Sequence, residues 1–170
     1  MAQQFHGVIP PAVTPLTADQ ELDLPSFTRS INRMIDAGVN GIFTLGSSGE
    51  VAFSTDARRE EIIRAAIDIV DGRVPVFVGC IDTETNRVIE HARQARELGA
   101  SAIVATAPFY ALGGMAEVER HFRLIHEAVP DLPLFAYDIP VCVAHETARR
   151  HARASGTRRR SCGRQGFLER

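Results

Sequence analysis

Five apolar runs recur along this chain at nearly regular intervals, and this spacing constrains the fold more than any other feature. They begin at Gly7, Gly41, Val74, Ser101 and Leu132. Most of them are continuously apolar rather than alternating, which is the pattern of parallel strands covered on both faces. An interval of about 30 residues matches one strand, its crossover helix and their loops. The runs read GVIPPAVTPL, GIFTLG, VPVFVGC, SAIVATAPFY and LPLFAYDIP.

The stretches between the runs carry apolar residues at helical spacing. Each stripe recurs at every third or fourth position, as in a helix that buries one face. The sequences AGVNG, LGAS and VPDLP supply the stops that end three of these helices. Four stripes are present: Phe27, Ile31, Met34 and Ile35; Ile62, Ile63, Ala66, Ile67 and Val70; Val88, Ala92, Ala95 and Leu98; Val118, Phe122, Ile125 and Val129.

Strict alternation of strands and helices predicts an α/β protein with a parallel sheet and right-handed crossovers. An open doubly wound sheet usually has a glycine-rich phosphate-binding turn after its first strand, whereas this chain has VIPPAVTPLT there. A (β/α)8 barrel is therefore favoured, although a complete one takes about 250 residues and eight units. The prediction is a partial TIM (β/α)8 barrel with the first five strands and four helices, followed by an irregular arginine-rich tail.

The composition of the 170 residues, 45% hydrophobic and 24% charged, is typical of a globular domain. No apolar stretch approaches the roughly 20 residues that cross a bilayer, and the N-terminus lacks the layout of a signal peptide. A cytoplasmic location without a membrane partner is expected. Cys80, Cys142 and Cys162 have no metal-like spacing and are expected to be reduced thiols. Neither a metal nor a cofactor is predicted.

Hydroxyl side chains fall at the predicted carboxyl ends of the strands, where barrel enzymes build their active sites. These ends read TPLT, GSSGE, PFY and YDIP, and they contain Ser47, Ser48, Tyr110 and Tyr137. Neither a metal-type cluster nor a Ser–His–Asp spacing accompanies them. Such a set suits the binding of a carboxylate and the relay of a proton, and it needs another group to make the bond.

Each of these residues also has a structural alternative. The GSSGE segment can be a turn whose serines and glycines serve the backbone, and the tyrosines can pack at the rim of the barrel. The two tyrosines are the only ones in the chain and both fall in these segments, which favours function. Glu50 and Asp138 are given orienting roles at most. The histidines are given packing or surface positions: His6, His91, His121 and His126.

The segments AVTPLT, GSSGE, APFY and YDIP, in this order and at these intervals, resemble the dihydrodipicolinate synthase / N-acetylneuraminate lyase family. The resemblance covers residues 5 to about 143. It implies a class I aldolase-type (β/α)8 enzyme that holds pyruvate or a related 2-keto acid as a Schiff base. In the family, the Schiff base forms on a lysine at the end of the sixth strand.

The resemblance also assigns roles to individual residues. Ser47 and Ser48 match the paired residues that bind the keto acid's carboxylate, with Gly46 in the same turn, and Ser47 also matches a proton relay. Tyr137 matches the tyrosine that passes protons to and from the substrate. Tyr110 matches a second tyrosine that completes the relay across a tight dimer interface, which implies a homo-oligomer. The implied partner is a small-molecule 2-keto acid.

One departure from the family's sequence pattern narrows the range of substrates that the resemblance implies. Dihydrodipicolinate synthases have an arginine two residues beyond the proline of their YNxP motif, where it binds a second carboxylate. In this chain that place is Cys142, in YDIPVCV. A lyase or dehydratase that acts on a sugar-acid-like 2-keto acid therefore fits better than a synthase of lysine biosynthesis.

The composition changes abruptly after residue 143. Residues 1–143 have 11 arginines and 19 acidic residues, a net charge of −8, whereas residues 144–170 have 8 arginines and 2 acidic residues, a net charge of +6. The chain contains no lysine, since all 19 basic residues are arginines. Arginine, with a pKa above about 12, cannot replace lysine in a Schiff base. The chain as written is therefore predicted to be inactive in the family's reaction.

The tail is explained by a shift of reading frame near codon 143. In the next frame the codons of RQGFLER permit Val-Lys-Asp-Ser-Ser-Ser, which resembles the sixth-strand segment of the family, and the Gln165–Gly166 junction permits only Lys or Arg there. The predicted organisation is thus a family barrel segment over 1–143 and an out-of-frame tail over 144–170. Two alternatives remain: a non-catalytic remnant that associates with paralogues, or a nucleic-acid-binding arm, which is less favoured because it requires a selected tail.

Overall fold

The computed structural model describes residues 5–139, and beyond them the backbone of two short strands at 160–162 and 165–168. Strands and helices alternate as predicted, and none of the described helices is both long and apolar enough to cross a membrane. Cys142 and the predicted boundary at residue 143 lie outside the described residues. The elements are α1 (Leu24–Asp36), β1 (Ile42–Thr44), α2 (Asp56–Val70), β2 (Val76–Gly79), α3 (Thr85–Leu98), β3 (Ala102–Ala105), α4 (Met115–Ala128), β4 (Leu134–Asp138), β5 (Arg160–Cys162) and β6 (Gln165–Leu168), with a 3-10 turn at Val51–Phe53.

The first of the five predicted strands is reduced to an isolated bridge. Pro11 forms a parallel bridge with Phe43, the Ala12 N–H donates to the Phe43 carbonyl (2.7 Å), and the Phe43 N–H donates to the Pro10 carbonyl (3.0 Å). The segment thus runs beside β1 as a parallel neighbour. Pro10 and Pro11 lack the N–H groups that a continuous ladder needs, so the apolar run from Gly7 does not form a regular strand.

The chain divides into two compact units, the first of which consists of residues 1–79 and 94–102. In this unit β1 and β2 pair in parallel, with Ile42 opposite Val76 and Thr44 opposite Val78. Both strands are buried along their whole length, and α2 lies against them. The predicted stripes of α1 and α2 supply the fully buried residues of the helices: Phe27, Ile31, Ile62, Ile63, Ala66 and Val70.

Short polar side chains and left-handed residues set the ends of these two helices. Asp23 caps α1 by accepting the Ser26 N–H (3.0 Å), and Thr55 caps α2 by accepting the Arg58 N–H (3.3 Å). A side-chain oxygen at this position satisfies one of the four free N–H groups of the first turn. Gly38 follows α1 with a φ of +83°, which glycine adopts without steric cost.

The second unit consists of residues 80–93 and 103–170. Its strands β3 and β4 pair in parallel, with Ile103 opposite Leu134 and Ala105 opposite Ala136. The ring of His121, on α4, is buried beside this pair. Its Nε2 lies 3.1 Å from the Thr106 carbonyl and its Nδ1 lies 3.0 Å from the Thr85 hydroxyl. Because a carbonyl can only accept, Nε2 carries the proton and Nδ1 accepts from Thr85.

The tail that was predicted to be irregular contains β5 and β6, which pair as an antiparallel hairpin. Strand β6 also pairs antiparallel with β4, with Phe167 opposite Tyr137 and Gly166 opposite Asp138. A barrel strand that followed β4 through a crossover helix would be parallel to it. The pairing of the tail therefore departs from the barrel pattern that β1 to β4 follow.

A buried carboxylate lies just beyond the end of β2, in the second unit. Asp82 is 9% exposed and contacts Arg87 Nε (3.0 Å) and His91 Nε2 (3.2 Å), while the Thr83 N–H donates to it at 2.7 Å. Burial raises the pKa of Asp82, but the bonds from Arg87, Thr83 and His91 outweigh it and hold that pKa well below its usual range. The hydrogen bonds of Asp82 with Arg87 and His91 thus hold the loop after β2 against the first turns of α3.

We predict that Gly79→Ser destabilises the protein by about 1 to 3 kcal/mol or more, because a Cβ on Gly79 would overlap the carbonyl oxygen of Leu45. Gly114→Ser is the matched control. Its Cβ would meet only the flexible Glu117 side chain, and serine is a favoured residue at the cap position that Gly114 occupies before α4. Urea unfolding of the two variants measures the difference. Equal free energies of unfolding would contradict the close approach at Gly79.

We also predict that the ionised Asp82 carboxylate stabilises the fold at neutral pH. Since its folded pKa is lowered, this stabilisation is present above the unfolded value near 4 and is lost as the pH falls toward the folded one. Asp82→Asn should lower the free energy of unfolding at pH 7 by about 1 to 3 kcal/mol. It should also flatten the decline in stability between about pH 5 and pH 3. Asp68→Asn, at an exposed position, serves as the control, and an equal flattening in both variants would contradict the prediction.

Candidate functional site

The GSSGE segment forms two overlapping turns directly after β1. The Gly49 N–H donates to the Gly46 carbonyl and the Glu50 N–H donates to the Ser47 carbonyl, each at 3.1 Å. Leu45 and Glu50, at either side of the turns, have φ values of +55° and +54°. Non-glycine residues rarely adopt this left-handed conformation, and it persists only where the surrounding structure enforces it. The backbone of the predicted carboxylate-binding segment is therefore held in a specific shape.

Two glycines allow this turn to pack tightly in the first unit. A Cβ on Gly46 would lie 2.7 Å from the Phe43 ring, and a Cβ on Gly49 would lie 3.2 Å from the Ala12 carbonyl oxygen. The Thr14 hydroxyl donates to the Gly49 carbonyl at 2.9 Å, which joins the TPLT segment to the turn. The first two predicted site segments are thus in direct contact. The glycines of GSSGE thus serve the backbone, and the carboxylate-binding role of the segment stays a prediction.

Ser47 and Ser48 are exposed at the top of this turn, between the buried Gly46 and Gly49. Within residues 5–139, neither their N–H groups nor their hydroxyls have a hydrogen-bond partner. Successive N–H groups beside a left-handed residue form a concavity that suits an anion. The turn therefore presents two N–H groups and two hydroxyls to solvent, a set of donors that a carboxylate can accept from.

Tyr137 lies in β4 of the second unit and is 4% exposed. The burial of this strand alternates, with Phe135 and Tyr137 buried and with Leu134, Ala136 and Asp138 half-buried. Tyr137 therefore shares the more buried face of β4 with Phe135. The face of β4 that carries the predicted proton-relay tyrosine is thus the face turned away from solvent.

Two polar atoms at the carboxyl ends of β3 and β4 are buried without a partner among the described residues. They are the Thr106 hydroxyl and the Oδ1 atom of Asp138. A buried carboxylate oxygen without a donor is costly, so a donor to Asp138 is expected from a group other than those of residues 5–139. Asp138 is therefore expected to accept from a specific donor. This goes beyond the orienting role that the sequence analysis gave it.

Tyr110 follows β3 and is 96% exposed. Its φ of +73° is unusual for an aromatic residue, and the Ala111 N–H donates to the Phe109 carbonyl (3.0 Å) across it. This three-residue turn is a strained one. Leu112, two residues further on, is 54% exposed. The packing alternative for Tyr110 is therefore wrong within this chain, because the ring projects into solvent.

The predicted site residues fall in both units. Gly46, Ser47 and Ser48 lie together in the first unit, whereas Tyr110 and Tyr137 belong to the second. The histidines have the positions predicted for them: His91 and His121 are buried and hydrogen-bonded, and His6 and His126 are exposed. Burial lowers the pKa of His121 despite the opposing bond to Thr106, which agrees with a neutral packing role.

Sequence reasoning missed Asp82, which lies at the carboxyl end of a strand as the proposed catalytic residues do. The ends of the other strands contain short recognisable segments, whereas the GCIDTET sequence after β2 contains none. The acid, arginine and histidine at positions 82, 87 and 91 come together only because α3 begins at Thr85 and places Arg87 and His91 on one face. The general rule that strand ends carry function is the signal that would have found it.

Comparison with known proteins shows similarity to one enzyme family over most of the chain. The profile of the dihydrodipicolinate synthetase family matches residues 4–150. A DapA-like lyase of Halobacterium salinarum is 39% identical over 143 residues, 84% of this chain and 46% of its own length. YagE of Escherichia coli K12, named for a proposed 2-dehydro-3-deoxy-D-gluconate aldolase activity, is 39% identical over 142 residues. The crystal structure of YagE in complex with pyruvate superposes with a TM-score of 0.80, covering 84% of this chain and 47% of YagE.

The chain spans about half the length of the relatives it matches. Over that half, the alternation of strands and helices follows the fold of YagE. The fold is accordingly a partial TIM barrel, which the likeness to YagE confirms. On the family profile and these relatives together, the chain belongs to the dihydrodipicolinate synthetase family.

Proposed function

We propose that this protein derives from a Schiff-base lyase or synthase that acts on pyruvate or a related 2-keto acid. The observation that carries the proposal is the set of four donors that Ser47 and Ser48 present on a rigid turn. An anion of the size of a carboxylate suits such a turn, because both of its oxygens accept hydrogen bonds. The complex of YagE with pyruvate supports the same ligand class for this chain.

The tyrosines supply the acid–base part of the proposal. Tyr137 holds its phenol on the buried face of β4, where a hydroxyl can pass a proton to and from a bound keto acid. Tyr110, exposed on its strained turn, extends away from its own unit and would complete the relay in a second copy of the chain. Its exposure, together with that of Leu112, supports a homo-oligomer in which both residues become covered.

The lysine that the reaction requires is not among the 170 residues. Schiff-base formation needs a neutral amine that attacks the carbonyl carbon and then expels water, and arginine cannot do this because its guanidinium stays protonated. The chain is therefore proposed to bind a 2-keto acid without forming a covalent adduct at any side chain. The place of Cys142 and the name of YagE favour a sugar-acid-like 2-keto acid over a substrate of lysine biosynthesis.

A shift of reading frame near codon 143 is the proposed origin of the tail. Residues 144–170 are rich in arginine and lack valine, isoleucine and leucine up to Leu168, which does not fit a further βα unit. The family profile extends to residue 150 and leaves residues 151–170 unmatched. Under this proposal residues 1–143 are the family segment, and the arginine-rich remainder has no role in catalysis.

We expect pyruvate to bind reversibly at the serine turn. Ser47→Ala and Ser48→Ala should each weaken binding about tenfold, because each removes one hydrogen bond to a charged group. Saturation-transfer NMR with pyruvate on the intact chain measures the affinity. Ser101→Ala is the matched control, because the Ser101 hydroxyl is already used as an acceptor for the Val76 N–H. Equal affinities in all three variants would contradict the carboxylate site.

The same samples test the absence of a Schiff base. After treatment with pyruvate and borohydride, the intact mass should stay unchanged apart from any adduct that peptide mapping assigns to the amine of Met1. A class I aldolase with its lysine, treated in parallel, shows that trapping works. A trapped adduct at any other residue would overturn the proposal that this chain lacks the reaction.

We further expect the nucleotide sequence downstream of codon 143 to continue the barrel in the next frame. The reading should include a sixth strand with lysine near the Gln165–Gly166 junction, followed by further βα units. Sequencing from codon 135 to several hundred bases beyond codon 170 decides this. If no frame continues the barrel, the tail is genuine. Its net charge of +6 then favours a nucleic-acid-binding arm, whose affinity would fall steeply with salt.

A further inference from the structure

The edge of β4 that does not face β3 is the place where the barrel pattern stops in this chain. On one side β4 pairs in parallel with β3, and on the other it pairs antiparallel with β6. Strands β1, β2 and β3 are buried along their whole length, whereas β4 has only alternate residues buried. Strand β4 thus lacks part of the cover that the other strands have.

An uncovered edge at β4 would be a hazard. Its five residues, LFAYD, are mostly apolar and aromatic, with one acidic residue at the end. A row of unpaired N–H and C=O groups on such a strand is a template for strand addition from another chain. Protection of this edge is therefore needed if the chain is to remain monodisperse.

We propose that the edge of β4 is a strand-docking surface, that its occupant is Gln165–Leu168 of the same chain, and that this cap blocks addition of a second copy. The register places Ala136, Tyr137 and Asp138 opposite Leu168, Phe167 and Gly166. An antiparallel partner needs no crossover helix, so a tail unrelated to the barrel can still occupy the edge. The proposal concerns association and does not depend on the proposed catalytic origin of the chain.

The hairpin also changes which strand lies at the edge of the sheet. Strand β5 pairs with the far side of β6, so the outermost strand of the unit becomes Arg160–Cys162. This edge is three residues long, and it begins at the last of three successive arginines. Short strands and positive charge are two of the devices by which natural sheets discourage edge-to-edge pairing. The hairpin thus replaces an apolar edge with a short charged one.

Hydrogen exchange on the full chain tests the cap directly. Phe167→Pro places proline in a strand that pairs on both sides, where it cannot sustain the ladder, whereas Phe167→Val keeps the backbone N–H and a residue suited to strands. We expect Phe167→Pro to speed exchange across residues 134–138 about tenfold or more, with residues 76–79 unchanged. Phe167→Val should leave both segments as in the parent chain.

Sedimentation velocity gives the second readout. Phe167→Pro, and a chain that ends at Arg159, should both form open-ended oligomers whose size keeps growing with concentration, whereas the parent and Phe167→Val should stop at a closed oligomer such as the one proposed for the Tyr110 side. Unchanged exchange at residues 134–138 in Phe167→Pro would overturn the proposal. So would an equal rise at residues 76–79, which would mean general unfolding, or the absence of open-ended growth in both uncapped variants.

Discussion

The close approach of two backbones in the first unit sets the geometry from which the candidate site is built. Where β2 ends, Gly79 lies so near the carbonyl of Leu45 that no side chain fits between them. Leu45 is the residue at which β1 gives way to the serine turn, and it has a left-handed backbone. The conformation of the turn is thus imposed by the neighbouring strand, and the free donors of Ser47 and Ser48 follow from it. A flexible turn would lose the same donors to competing conformations.

The part of the fold that sequence predicts well is the part governed by burial. Each of the runs beginning at Gly41, Val74, Ser101 and Leu132 contains a strand, and in the first three runs the strand is buried along its whole length, as parallel strands covered on both faces are. The run from Gly7 is also largely apolar but does not form a regular strand, and Val8 and Val13 within it are exposed. Pro10 and Pro11 remove donors that a ladder requires there.

In the candidate site, too, some features can be predicted from the sequence and others cannot. The serine turn and the tyrosine segments are readable from sequence as motifs, but the left-handed residues at 45, 50 and 110 are not, because they depend on neighbours that are distant along the chain or on strain in a loop. The Asp82 network is hidden for another reason. Its three members have ordinary identities at ordinary spacings, and only the start of α3 brings their side chains to one point. Tertiary placement supplies the information that local pattern lacks.

The buried oxygen of Asp138 links the end of the described barrel to the tail. Its Oδ1 atom has no donor among residues 5–139, and the tail strand places Gly166, which has no side chain, opposite it. Gly166 itself therefore pairs with the backbone of β4 without offering the carboxylate a side-chain donor. Backbone pairing tolerates almost any sequence, whereas a buried carboxylate demands a specific partner. At the edge of β4 the described residues show the backbone pairing alone, and the donor to Asp138 is expected from a group outside residues 5–139.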